Sequence, residues 1–273
     1  MDNFKQILRD IKRVKIQGAT GIAKQGVNAF LLQPNKKSAE WIMETRPTEP
    51  LLQNALLHLL NSRNQKRDAK IFFSYLEKSE KKIAKFGVQL IKNNMNIYSH
   101  CHSSTVISIL KQAKKQKKHF IVYTSEVHPL LQGRKTAQEL AKARIKVIIV
   151  PDLAIEQALS KCDLFLFGAD AYLKNGVLNK IGTSLICELA KKHNIPTYSC
   201  GTSLKFTKKT RIEQRTGREL WDERSKLIKI ENPAFDFTPK SLLSGVISEL
   251  GILHYDSFAK KAEANVKKFV GNK

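Results

Sequence analysis

The sequence predicts an α/β fold, a helical N-terminal domain followed by a domain built on a doubly wound, mostly parallel sheet. Three observations carry this. Apolar residues recur at helical spacing up to about residue 90. Beyond Asn94, short β-rich runs alternate with amphipathic helical stretches, which is the signature of strand–helix–strand units. Two chemistry-bearing residues, Cys101 and Asp170, fall just after apolar runs, where a parallel sheet presents its ligand-binding ends.

In the first part, Leu8, Ile11, Ile22, Val27, Leu31 and Leu32 recur at roughly helical intervals, as do Leu51, Leu52, Leu56 and Leu59. Ala69 to Lys92 reads as an amphipathic helix through Ile71, Phe72, Tyr75, Ile83, Phe86, Leu90 and Ile91. Gln33-Pro34-Asn35 and the surroundings of Pro47 read as loops. The expected strands are Ile97-Tyr98, His119 to Tyr123, Lys146 to Val150, Asp163 to Phe167, Ile195 to Tyr198 and Lys226 to Ile230. Helices are expected between them at Val106–Lys117, Thr136–Ala143, Leu153–Leu159 and Ser184–His193. The division is drawn at residues 1–94 and 95–273.

The chain has 273 residues, of which 42% are hydrophobic, ample for a packed core. No apolar run reaches about 18 residues, the length a membrane span needs, and the N-terminus lacks a signal-peptide pattern. The four cysteines show no paired spacing, which points away from zinc and a disulfide framework and toward a reducing cytoplasm. The net charge is +24. Its lysines are scattered and no aromatic-interleaved RNA-binding signature accompanies them, so a solvated basic surface is expected and a nucleic-acid partner is not. Lys111–Lys118 and Lys205–Arg211 are where a polyanion would bind if one does.

Cys101 precedes a helix-like segment, and a thiol at a helix N-terminus ionises more readily. Asp170 follows Leu164-Phe165-Leu166-Phe167, and an apolar pocket would raise its pKa into the range useful for acid catalysis. A buried structural cysteine and a turn aspartate are the plain alternatives. Gly18-Ala19-Thr20-Gly21 is a small-residue turn before a helix, whose amides suit a phosphate. Arg46 can grip a phosphate bidentately. Ser103 and Ser104 lie where hydroxyls and amides face an anion, although simple helix capping explains them as well. His100 and His102 read as packing and hydrogen-bonding residues, since no third ligand stands at metal spacing.

Gly168-Ala169-Asp170, Asn179-Lys180-Ile181-Gly182-Thr183 and Asn194-Ile195-Pro196 together resemble one family. It unites sugar-1-phosphate aldose–ketose isomerases with the alpha, beta and delta subunits of eukaryotic translation initiation factor 2B. The similarity runs from Ile16-Gln17-Gly18-Ala19 through Arg46-Pro47-Thr48 and Glu126 to Gly133, ending at Asn232-Pro233-Ala234-Phe235-Asp236 and Thr238-Pro239. Within it, His100-Cys101-His102-Ser103 is most similar to the ribose-1,5-bisphosphate isomerase branch. The resemblance implies a Rossmann-like second domain lidded by the helical first one, with the site between them. It implies a phosphorylated pentose substrate, no cofactor and no metal, with Asp170 as acid at the ring oxygen and Cys101 as base at C2. Asn179 and Lys180 follow as substrate-binding residues, Lys180 as the strongest cation, with Gln132 and Lys205 as further hydroxyl and phosphate contacts. It also implies a homodimer or a larger dimer-based oligomer, held through the second domain by Asn232–Asp236 and the apolar run Val246–Leu253. A non-catalytic regulatory subunit is the other reading that the family allows. Gln17 and His128 stand where the isomerases usually carry arginine.

Overall fold

The computed structural model describes residues 3–212 and 214–271. Five helices come first: α1 (Asn3–Lys12), α2 (Ala19–Leu32), α3 (Lys36–Thr45), α4 (Pro50–Leu60) and α5 (Gln65–Gly87). Local chemistry starts them. Asn35 and Ser38 form a reciprocal capping box at α3, Pro50 opens α4, and the Asn64 side chain accepts the Arg67 amide at α5. Their apolar stripes close on a shared core containing Phe30, Leu52, Leu56 and Phe72.

From residue 95 the chain alternates: β1 (Met95–His100), α6 (Ser104–Lys115), β2 (Phe120–Ser125), α7 (Gln132–Lys142), β3 (Lys146–Val150), α8 (Ile155–Leu159) and β4 (Leu164–Phe167). A tight hairpin follows, β5 (Ala171–Leu173) and β6 (Gly176–Lys180), then α9 (Thr183–Lys192) and β7 (Thr197–Cys200). The chain ends with β8 (Phe235–Pro239), β9 (Gly245–Ser248), β10 (Gly251–Leu253) and α10 (Tyr255–Val270). Among the described residues the main sheet has seven strands in the order β10-β9-β7-β4-β1-β2-β3. All its pairs are parallel except β10 on β9. The winding reverses at β1: β2 and β3 lie on one side, β4 and β7 on the other. β5, β6 and β8 form a separate antiparallel sheet.

Helices cover both faces, as a parallel sheet requires. Ile83 of α5, Val106 and Ile109 of α6 and Leu140 of α7 pack on one face. On the other lie Leu159, Ile186, Ala190 and Phe258 of α8, α9 and α10. The last helix also reaches back to the first ones. His58 stacks on Phe269 at 4.2 Å between ring centroids, and Val266 and Phe269 join the core of the N-terminal helices. None of the helices among the described residues is long and apolar enough to cross a membrane.

One sequence expectation changes. Lys226–Ile230 is not a strand. Leu227 is 96% exposed and among the described residues no neighbouring strand pairs with this stretch, so its β-propensity has no pleated, half-buried surface to satisfy. The nearby strand is β8 instead, which pairs with β6 from Gly176↔Pro239 to Lys180↔Phe235. The run Val246–Leu253 is an antiparallel edge hairpin, with Val246 and Ile247 buried inside its own chain.

The join between the helices and the sheet runs through Asn54, whose Nδ2 donates to Leu204 O (2.8 Å) and Phe206 O (3.2 Å). Asn54→Ala leaves both buried carbonyls unpaired and should cost about 1–3 kcal/mol. Urea denaturation measures it; a loss below about 0.5 kcal/mol would mean that the join carries no weight.

Candidate active site

Parallel pairing of β1 with β4 brings His100 opposite Phe167. The residues after them, Cys101 on one strand and Gly168-Ala169-Asp170 on the other, therefore emerge side by side where the winding reverses, the place open α/β sheets bind ligands. A cavity of about 350 Å³ opens there. The residues assigned from the sequence to catalysis and substrate binding all line it. Gly18, Ala19, Thr20 and Arg46 come from the N-terminal helices, Cys101, Ser103 and Gln132 from the β1 and β2 ends. Asp170, Asn179, Lys180 and Lys205 close the other wall.

The backbone is bent to make this geometry. Cys101 has φ 65°, a left-handed conformation that costs a non-glycine residue about 1–3 kcal/mol. Thr136 Oγ1 holds it by donating to Cys101 O at 2.8 Å. Ser103 caps α6, its side chain accepting the Val106 amide. Gly168 has no side chain for a close reason: a Cβ there would lie 2.8 Å from Ser103 Oγ and 2.9 Å from Ser103 Cβ. Gly18, the N-cap of α2, sits at φ 77°, where glycine is at ease. Asn179 and Lys180 lie on strand β6, both buried. The Asp236 carboxylate, opposite Asn179 on β8, accepts the Gly182 and Ser184 amides at 2.7 and 3.1 Å. That contact ties the Asn179–Thr183 motif to the Asn232–Asp236 motif.

Charges alternate around the cavity. Arg46 is buried and donates to Glu49 at 3.2 Å. Glu49 and Asp170 both attract Lys205, whose amine is pulled below its usual pKa by burial. Lys205 Nζ donates to Ala169 O at 2.5 Å, one residue from Asp170. Lys205 is thus a buried partner of the Asp170 turn, and of the basic residues in the Lys205–Arg211 run only Lys208, Lys209 and Arg211 are exposed. Lys180 lies 5.8 Å over the Phe235 ring, within cation–π range, and electrostatically faces Cys101. Among the described residues Lys24, Lys135 and Lys180 have no ion-pair partner, yet all three line the cavity. Lys24 and Lys135 escaped the sequence reading. Helical spacing would have found them, since Lys24 is four residues after Thr20 and Lys135 three after Gln132. Glu49, just after Arg46-Pro47-Thr48, also reaches the cavity, as does the Arg215–Glu219 pair from a segment whose sequence carries no motif.

Two electrostatic expectations are overturned. Burial pushes the Cys101 thiol up to about 11, and Lys180 only partly counters it; the residue stands ahead of α6 rather than in its first turn. Asp170 does not lie in an apolar pocket. Leu164–Phe167 pack into the sheet core below, and a lysine attends the carboxyl instead. His100 is neutral, lowered to about 4 by burial, with Nε2 on Ile181 O at 3.1 Å. His102 contacts Thr136 Oγ1 at 3.1 Å. Among the described residues no three His, Cys, Asp or Glu gather as metal ligands. The Gln132 Oε1 is buried without a partner among them.

Fold and cavity together define a doubly wound α/β protein with a cation-lined crevice at its switch point. The model of the Initiation factor 2 subunit family matches residues 23–255, and the chain belongs to that family. It is 34% identical to a ribose 1,5-bisphosphate isomerase of Thermococcus kodakarensis, covering 91% of this chain and 90% of that one. It is 33% identical to a putative translation initiation factor eIF-2B subunit 2-like protein of Pyrococcus furiosus, covering 91% and 95%. The crystal structure of the Pyrococcus horikoshii OT3 translation initiation factor eIF-2B superposes with a TM-score of 0.84 at 29% identity, covering 93% of this chain and 98% of that one.

The thiol makes a direct test. With its pKa near 11, Cys101 should react with iodoacetamide about a thousandfold more slowly at pH 8 than at full ionisation. Lys180→Met should move the midpoint higher still, because it removes the charge that favours thiolate. Rapid alkylation at pH 8, followed by mass spectrometry of the Cys101 peptide, would contradict the assigned environment.

Proposed function

We propose that the protein is an aldose–ketose isomerase of a pentose phosphorylated at its anomeric carbon, with ribose 1,5-bisphosphate to ribulose 1,5-bisphosphate the favoured reaction. One observation carries the reading: Cys101 and Asp170, delivered by adjacent strands, face one cation-lined cavity. The 34% identity to a named ribose 1,5-bisphosphate isomerase supports the choice of substrate. The α2 amides with Lys24 would take one phosphate, and the α6 amides with Ser103 and Lys135 the other. Lys24 and Lys135 supply positive charge in a cavity lined by Gln17, which stands where the resembling isomerases usually carry arginine. Lys180 and Arg46 add charge beside the sugar, and Asn179 and Gln132 offer hydroxyl partners.

A sugar phosphorylated on its anomeric oxygen cannot open as a free hemiacetal does. The ring oxygen must gain a proton as its bond to C1 breaks. The sequence reading gave that step to Asp170. The environments found here favour the reverse, since burial holds the Cys101 thiol neutral and Lys205 attends Asp170. Cys101 gives its proton to the ring oxygen while the C1–O bond breaks. Asp170 takes the proton from C2, leaving an enol phosphate, and returns it to C1. The thiolate recovers its proton from the C2 hydroxyl as the ketone forms. Both groups end as they began, so the cycle needs no cofactor.

The four cysteines are free, three of them buried, which suits a reducing compartment such as the cytoplasm. A homodimer, or a larger oligomer built from dimers, is the assembly that goes with this reading. A regulatory subunit that binds a sugar phosphate or nucleotide, and a protein partner, is the second reading. It is favoured by the 33% identity to a putative initiation-factor subunit.

Turnover of ribose 1,5-bisphosphate, beside a panel of pentose 1-phosphates, decides between them. Cys101→Ser and Asp170→Asn should each lower kcat by about 10²–10⁴-fold while binding persists. With Cys101 as donor, kcat/KM should stay level from about pH 7 to 10 and fall as the pH nears 11. A thiolate base would instead make kcat/KM rise about tenfold per pH unit over that range. Absence of turnover, with ligand binding unchanged in both variants, would favour the regulator.

A further inference from the structure

We propose that Glu249, outside the cavity and on the far side of the β7 end, is a positioning residue that sets Lys205 against Asp170. Glu249 lies in the turn between β9 and β10 and is buried. Its carboxylate accepts the Ser203 amide with both oxygens, at 3.0 and 3.1 Å. The Ser203 and Thr202 hydroxyls donate to it as well, the latter at 3.2 Å, and Tyr75 of α5 at 2.6 Å. Asn265 of α10 completes the cluster by donating to Ser203 Oγ at 2.7 Å and Tyr75 OH at 2.8 Å. Among the described residues no lysine or arginine pairs with this carboxylate.

A buried carboxylate is costly unless donors surround it, and donors fix direction more tightly than apolar contact does. What these donors fix is a single turn, Ser203–Lys205. From that turn Lys205 reaches Ala169 O, while Asn54 grips Leu204 O and Phe206 O from the other side. Lys205 has a long, flexible side chain, so the place of its amine depends on the place of the turn. The path is continuous: Glu249 holds Ser203, the turn carries Lys205, and Lys205 meets the Asp170 loop. Among the described residues the hydrogen bonds of Glu249 go to Tyr75, Thr202 and Ser203, none of which lines the cavity, so its route to the reaction is the turn that carries Lys205.

The kinetic half of this proposal rests on the isomerase reading; the labelling half does not. Glu249→Gln keeps one acceptor oxygen and replaces the other with an NH2 that cannot accept from Ser203, Thr202 or Tyr75. Lys205, buried in the folded protein, should be protected from succinimidyl acetate, and Glu249→Gln should raise its labelling rate by about tenfold or more, read by mass spectrometry on the intact folded chain. On ribose 1,5-bisphosphate, Glu249→Gln should lower kcat about tenfold with KM changed less than about twofold. In a Lys205→Met background it should add no further loss, because residues acting in series are not additive. Thr202→Val, which removes one donor and keeps the shape, should show both effects in weaker form if Glu249→Gln does not fold. Unchanged protection of Lys205 in both variants overturns the proposal, as does a full additional tenfold loss in the double variant. If the wild type turns over no sugar phosphate, the isomerase reading falls and the labelling result alone decides on Glu249.

Discussion

Parallel pairing of β1 with β4, in a register that sets His100 opposite Phe167, is the constraint on which the cavity depends. Neighbouring strands lie about 4.8 Å apart, so whatever follows them shares one space. A one-residue slip would turn every alternating side chain to the other face. Tyr98 and Phe165 are packed into the core on one face and Ile97 and Leu166 into the core on the other, and a slip would force each set into a space shaped for the other. The core beneath the cavity thus decides which two residues meet above it. The left-handed backbone at Cys101 and the bare Cα at Gly168 are local adjustments to that meeting.

The electrostatics follow from the same crowding. Arg46, Glu49, Lys205, Asp170 and Lys180 are all wholly or partly buried within one small volume, with Arg46 on Glu49, Lys205 drawn to Asp170 and Glu49, and Lys180 acting on Cys101. In water such groups would interact weakly; in a cavity walled by low-dielectric protein their mutual influence grows several-fold. A thiol in this setting keeps its proton because burial outweighs one lysine. That balance, rather than proximity to a helix end, sets its chemistry.

Much of this was legible in the chain. Helical periodicity through Leu51, Leu52, Leu56 and Leu59 and the strand–helix alternation after Asn94 correspond to observed elements, because each is a local pattern. Cys101 and Asp170 stood out because strand ends are where such sheets present ligand groups. Other features depended on long-range pairing. The β5–β6 hairpin has a strand of three residues, too short to show a period, and β8 acquires its partner from residues some sixty positions earlier. Lys226–Ile230 has strand-like composition and no partner. The raised thiol was hidden because burial is a property of the assembled fold. Glu249 and Glu49 gave no signal, since a lone acid in sequence says nothing about what it will clasp.

The return of α10 to the first helices has a consequence for how the chain is made. Val266 and Phe269 complete a core otherwise built from residues 4–76 and Leu204. During synthesis on the ribosome, α1 to α5 therefore emerge with an apolar groove that nothing yet translated can fill. The sheet strands are threaded out while that groove waits for α10. A nascent chain stalled before α10 would lack the Phe269 ring that packs on His58 and Phe72 in the finished fold.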